Sequence, residues 1–130
     1  MAEYSLVPVD VPQVETKHRT IRTKLPVPES LPIFAALAKS EPRSMWGQPP
    51  VIWDRADDFT VSDRWGNRWI DWSSCVLVAN AGHGCKEVIE AVRKKCDQGL
   101  LASYVFVHED RARLTMMLRD LAPNPEHYRV

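Results

Sequence analysis

Eight of the ten prolines in this 130-residue chain fall between Pro8 and Pro50, and no other feature limits the fold as strongly. Each proline fixes its own φ, lacks a backbone donor and turns the residue before it away from helix. Residues 1–45 therefore read as an extended N-terminal arm. The helix expected within it lies near residues 30–39, where Ser30 can cap, Pro32 is tolerated in the first turn, and Ile33, Phe34, Leu37 and Ala38 share a face. An arm so poor in core residues needs another surface to lie on.

After the arm the pattern changes to that of strands. Val51-Ile52-Trp53, Phe59-Thr60-Val61 and Arg68-Trp69-Ile70-Asp71-Trp72 are separated by polar turn residues, which predicts a small antiparallel meander. Asp63-Arg64-Trp65-Gly66 fits a type I turn that finishes in a left-handed glycine. Val76-Leu77-Val78-Ala79 is a short apolar run that reads structurally as core. Gly82-His83-Gly84 then frees the backbone to enter a helix near Lys86. In that helix Val88, Val92, Cys96 and Leu100 recur every four residues with Ile89 beside them, and Glu90 with Lys94 forms an expected i,i+4 pair. A second helix is predicted from about Glu109 to Leu121, with Leu114, Met117, Leu118 and Leu121 on one side. The aperiodic stretch between the helices, Ala102 to His108, is expected to be a buried connection or a partner-facing loop. The fold class is thus α+β: an extended Pro-rich arm, a small antiparallel β-meander, then two amphipathic helices.

Seventeen basic residues balance seventeen acidic ones, so no global field draws the chain toward nucleic acid or anionic lipid. Three cysteines without a CxxC pair fit a reducing compartment, and a cytoplasmic location is expected. The N-terminal stretch Met1 to Pro8 has neither a basic head nor a long apolar run, so neither a signal peptide nor a membrane anchor is expected.

Several segments carry residues with possible chemistry. His83, Cys85 and Cys96 are zinc-ligand types, but without paired ligand motifs Cys96 reads as a residue of the helix's apolar face and Cys85 as a small residue at a helix start. The helix N-terminus beside Lys86 favours a thiolate at Cys85, with His83 two residues away, although neighbours on a turn rarely point at one another. Gly82-His83-Gly84 before a helix has the makings of an anion cradle, yet it lacks a GxGxxG or GK[ST] pattern, and a ligand-free connection with a hydrogen-bonded structural His83 is the simpler expectation. Arg64-Trp65 and Arg68-Trp69 alternate cations with stacking surfaces, as do nucleic-acid binders, but the balanced charge opposes that function.

From about Pro50 to Pro123 the order of features resembles the N-terminal region of class III aminotransferases, pyridoxal-phosphate enzymes of fold type I. The residues that carry the resemblance are Val61, Asp63, Gly66-Asn67, Trp69-Ile70-Asp71, Asn80-Ala81-Gly82-His83, Val88 with Ala91-Val92, and Leu118-Arg119-Asp120-Leu121-Ala122-Pro123. Three positions depart from the family's usual pattern. Asp58 stands where glycine often precedes the second strand, Trp65 where aspartate often precedes the turn glycine, and Cys85-Lys86 where His-Pro often follows the G-H segment.

The resemblance implies an enzyme that uses pyridoxal 5'-phosphate to move an amino group from an amino acid or amine to a keto acid, and that works as a homodimer. It implies residues 46–130 as the N-terminal small-domain segment. The coenzyme lysine, the acid paired with the pyridine nitrogen and the phosphate loop are expected after the point matching Tyr128-Arg129-Val130, so no residue here is assigned to catalysis, cofactor or metal, and the 130 residues alone are expected to be inactive. It also implies Val76 and Leu77 as lining of the substrate pocket, and Tyr104 with Phe106 as an aromatic loop near that pocket or the partner subunit. Two alternatives of other classes are a non-catalytic interaction or dimerisation module and, behind it, a small nucleic-acid-binding domain. With the first reading, no nucleic-acid or membrane partner is expected.

Overall fold

The computed structural model of the chain describes residues 4–45 and 47–130. Met1, Ala2 and Glu3 of the N-terminal stretch, and Trp46 at the start of the expected 46–130 segment, lie outside the described residues. The chain forms two compact units, Met1–Val88 and Ile89–Val130.

The first unit is built on a five-stranded antiparallel sheet. Its strands are β1 (Val14–Glu15), β2 (Thr20–Ile21), β3 (Arg55–Asp57), β4 (Thr60–Ser62) and β5 (Arg68–Ile70), in the order β1-β2-β5-β4-β3. The meander β3-β4-β5 is as the turn residues predict, with Val61 opposite both Ala56 and Trp69. Its first strand lies further along than Val51-Ile52-Trp53. Asp57 pairs with Thr60, so the turn at Asp58-Phe59 sets the register, and pairing runs back from it only as far as the short β4 allows. Val51 and Ile52 instead line an apolar groove with Phe34 and Leu37 of α1 (Leu31–Ser40).

The arm is not merely extended. Thr16 and Arg19 close a hairpin between β1 and β2, and Thr20 pairs with Arg68 at the free edge of β5. The surface that a proline-rich arm requires is thus the edge of the meander. The added strands are two residues each: the hairpin turn ends β1 at Glu15, and beyond Ile21 the Arg22 and Thr23 amides go to Asn67 Oδ1 instead of to a strand.

The buried apolar residues of the described chain are Ile21, Pro26, Val27 and Val61, and the buried polar ones are Thr20, Ser30, Asp63, Asn67 and Asp71. A core with so many polar members holds only when each finds partners. Ser30 does so by donating to the Val27 carbonyl at 2.6 Å.

The segment after β5 departs from expectation. Val76-Leu77-Val78, read as core from their apolarity, are exposed; Val76 and Leu77 belong to α2 (Ser74–Leu77), a single turn in the left-handed region, and Val78 follows it with a right-handed backbone.

Helix α3 (Lys86–Gln98) begins in the first unit and continues into the second, which also holds α4 (Glu109–Asp120). Both helices form where periodicity predicts them. His108 caps α4 by accepting from the Asp110 amide at 3.1 Å, and Lys95 reaches Asp110 at 2.5 Å. The expected Glu90–Lys94 pair is replaced by Glu90 with Arg93, 4.0 Å apart. Val88, Val92, Cys96 and Leu100 leave their stripe uncovered, so Cys96 is not a core residue here. The Ala102–His108 connection is largely exposed rather than buried.

Candidate functional site

Two aspartates at strand ends organise the first unit. Asp63 follows β4, and its Oδ1 accepts from the amides of Trp65 and Asn67, each at 2.9 Å. Gly66 takes the left-handed place in this turn with φ +92°, as predicted. Asn67, fully buried, donates to Asp63 Oδ2 at 2.6 Å and to Thr23 Oγ1 at 2.8 Å, while its Oδ1 accepts from the amides of Arg22 at 2.8 Å and Thr23 at 3.3 Å. This turn fastens the arm to the meander.

Asp71 follows β5 and gathers a second turn. Its amide donates to the Phe59 carbonyl at 2.8 Å. Oδ1 accepts from the Ser73 amide at 3.0 Å and the Ser73 hydroxyl at 2.8 Å, and Oδ2 accepts from the Cys75 amide and from His83 Nε2, both at 2.7 Å. The side chains of Asp71 and His83 are 2% and 15% exposed. The hydrogen bond from His83 is the main reason that the Asp71 carboxyl is held down at about 2. Burial opposes it, and the Ser73 hydroxyl with the Cys75 and Ser73 amides assists it.

His83 is fixed from behind as well. Its amide and carbonyl pair with the carbonyl and amide of Asp58 at 2.6 and 2.7 Å, and Trp53 meets its ring edge-on with centroids 5.9 Å apart. Gly82 permits this approach, since a Cβ there would stand 2.8 Å from Asp58 Oδ1. A cavity of about 170 Å³ opens beside them, walled by Asp58, Phe59, Asp71, Asn80 and His83.

The left-handed turn carries Val76 and Leu77, which are 82% and 76% exposed. Ser74, Cys75, Val76 and Leu77 have φ of 48°, 51°, 55° and 67°. For non-glycine residues that conformation costs about 1–2 kcal/mol each, and a β-branched valine there is a marked outlier. The turn closes three backbone bonds, from Leu77 to Ser73 and from Val78 and Ala79 to Ser74, each contributing about 1 kcal/mol net. These do not offset the strain by themselves. Asp71 adds a charge-assisted bond from the Cys75 amide within the turn, worth about 1.5–3 kcal/mol.

Tyr104 and Phe106 belong to the second unit and are 89% and 75% exposed. Tyr104 is also left-handed, with φ 46°, and Arg111 Nη1 donates to its carbonyl at 2.8 Å. Each candidate pair therefore sits on a solvent-facing, conformationally unusual stretch of its own unit.

The other candidate chemistries dissolve into local contacts. Cys85 donates its thiol to Glu87 Oε2 at 3.3 Å, and the His83 ring is engaged by Asp71 rather than by that sulfur. Among the described residues no three His, Cys, Asp or Glu side chains gather as a metal site. At Gly82 the neighbour is the Asp58 carboxylate, which repels the phosphate that an anion cradle would hold. Arg64 leans on Trp65 at 5.6 Å and reaches Asp54 at 3.4 Å, while Arg68 donates to the Lys17 carbonyl at 2.8 Å. No helix among the described residues is long and apolar enough to cross a membrane.

The Asp71–His83 pair is absent from the sequence-derived sites. A carboxylate ending one strand and a histidine between two glycines shortly after it were the available signal, but periodicity gives no measure of how a loop returns. The left-handed φ of 48° at Asp58 likewise explains why glycine suits that position.

No protein-family model matches the chain. Over 106 residues it is 28% identical to a 4-aminobutyrate aminotransferase of Mycobacterium leprae (strain TN), an alignment covering 81% of this chain and 24% of that protein. The chain thus spans about a quarter of the length of the curated relative it matches.

Proposed function

We propose that these residues form the N-terminal small-domain segment, in and after residue 46, of a class III aminotransferase of fold type I, together with its arm. Such an enzyme transfers an amino group from an amino acid or amine to a keto acid, as a cytoplasmic homodimer. The observation that carries this reading is the similarity, along 81% of the chain, to a protein named as an aminotransferase. It is supported by which residues the fold buries: Asp63, Asn67 and Asp71, three of the five buried polar residues described, are all members of the resembling motifs. Val76 and Leu77 are proposed to line the substrate mouth, and Tyr104 and Phe106 to face the pocket or the partner subunit.

The residues present do not suit pyridoxal phosphate by themselves. Lys17, Lys24, Lys39, Lys86 and Lys94 are exposed, and Lys95 is engaged by Asp110 and Gln98. The cavity beside His83 is walled by two carboxylates, and among the described residues Glu41 is the one charged residue that lines the apolar groove under α1. A phosphate needs amide or cationic donors. The 130 residues alone are accordingly proposed to be inactive, the coenzyme being held elsewhere in such an enzyme.

Two measurements test this. Borohydride treatment of the chain with pyridoxal phosphate is expected to fix no coenzyme at a single lysine, and one stoichiometric adduct would overturn the proposed inactivity. In the full-length enzyme, Leu77→Ala is expected to shift kcat/KM across a panel of amines by roughly tenfold for the bulkiest, as a lost apolar contact of 1–3 kcal/mol would do. Unchanged selectivity would remove Leu77 from the mouth.

The exposed aromatic loop favours a second reading, a free-standing interaction module. Light scattering on the purified chain separates the two, because a compact monomer leaves that module without a partner.

A further inference from the structure

The left-handed turn is held by a carboxylate that is itself held. Asp71 Oδ2 receives two donors, the Cys75 amide inside the turn and His83 Nε2 from outside it, both at 2.7 Å. His83 cannot drift, since its backbone is paired to Asp58 on both sides and its ring meets Trp53. The rigid end of this chain of contacts is therefore the β3-β4 turn of the sheet, and the strained end is the exposed pair Val76 and Leu77.

We infer that His83 is a positioning residue: by holding Asp71 Oδ2 it aims the carboxylate at the Cys75 amide, keeps Ser74–Leu77 left-handed and so sets the direction in which Val76 and Leu77 face an amine substrate. The last clause rests on the aminotransferase reading above; the latch itself does not. Neither His83 nor Asp71 touches substrate in this scheme. Their contribution is the backbone conformation of residues three to six positions beyond Asp71, where a relaxed right-handed turn would carry both apolar side chains elsewhere.

Two isosteric substitutions separate a latch from general packing. A glutamine amide nitrogen occupies the place of imidazole Nε2, whereas that of asparagine reaches only the place of Nδ1. In solution NMR on the 130-residue chain, Ser74–Leu77 are expected to give strong intraresidue Hα–amide contacts, the mark of positive φ. His83→Gln should retain them. His83→Asn should lose them and speed exchange of the Cys75 amide by roughly tenfold, while the Val61 and Ile21 amides stay protected. A left-handed turn that survives in His83→Asn overturns the inference.

If His83→Asn disturbs Val61 and Ile21 as well, the wild-type chain and His83→Gln decide the matter. Slow Cys75 exchange in both supports the latch, and exchange at the rate of a free amide in the wild type, or loss of protection in His83→Gln, overturns it. The amine panel for Leu77→Ala tests the enzyme reading separately. Failure there with a persistent His83-dependent turn removes the substrate role and leaves the latch.

Discussion

The turns at Asp63 and Asp71 are made of the same parts. Each starts with a buried aspartate at the end of a strand, and each aspartate accepts amides two and four residues ahead: Trp65 and Asn67 in one, Ser73 and Cys75 in the other. Each also takes a side-chain donor on Oδ2, from Asn67 at 2.6 Å and from His83 at 2.7 Å. They differ in what occupies the left-handed region. The first places one glycine there, and the second places four residues with side chains. The same carboxylate device thus closes a relaxed hairpin in one case and restrains a strained, exposed apolar pair in the other. Geometry that costs stability persists where surrounding bonds over-determine it, and such places gather at functional surfaces.

This contrast can be broken from the relaxed side first. Asn67→Ala removes a buried amide with four partners and leaves Asp63 Oδ2 and the Arg22 amide without theirs, so urea unfolding should show a loss of about 3 kcal/mol, the largest effect expected in the sheet unit. At the second turn Asp71→Asn should cost on the order of 2 kcal/mol at neutral pH. The sign with pH follows from a folded carboxyl held at about 2 against an ordinary 3.8. Its stabilisation is complete above the ordinary value and fades as pH falls through the folded one. The gap in urea midpoint between wild type and Asp71→Asn should therefore close between about pH 4 and pH 2. A gap that persists at the acid end would show that something other than this carboxylate holds the turn.

Smaller changes sharpen the comparison of left-handed positions. Gly66→Ala should cost about 1 kcal/mol and Asp58→Gly should return a similar or smaller amount, because one adds and the other removes a Cβ at positive φ. Thermal midpoints that move in the same direction for both would contradict the conformational account. The smallest effect is expected at Val107, largely exposed in the second unit: Val107→Ser should change stability by less than about 0.5 kcal/mol.

Much of the secondary structure was legible in the residues themselves. Alternation around Val61 and Trp69, the glycine at Gly66 and the four-residue recurrence from Val88 report short-range preferences, and β4, β5, the turn and α3 formed where these indicated. The short helix at Leu31–Ser40 formed where Pro32 and the apolar face indicated, although the Ser30 hydroxyl turns back to the Val27 carbonyl instead of capping it. What escaped depends on contacts far apart in the chain. Nothing local in Thr20 says that it will pair with Arg68, nor in Asn67 that it will accept from Arg22. Apolarity misled at Val76–Val78, which are exposed just after the turn that Asp71 gathers through the Ser73 and Cys75 amides. At the candidate site His83 was legible as a hydrogen-bonded residue, but its partner was not.

The spacing of Asp71 to its two Oδ2 donors also dictates where the chain will accept extra residues. Between Asp71 and Cys75 the count is locked, since one insertion would carry the Cys75 amide out of reach of the carboxylate. Asn80 and Ala81 are exposed and span a turn closed by one bond, from the Gly82 amide to the Ala79 carbonyl. An inserted residue should therefore be tolerated there far better than in the tetrapeptide after Asp71.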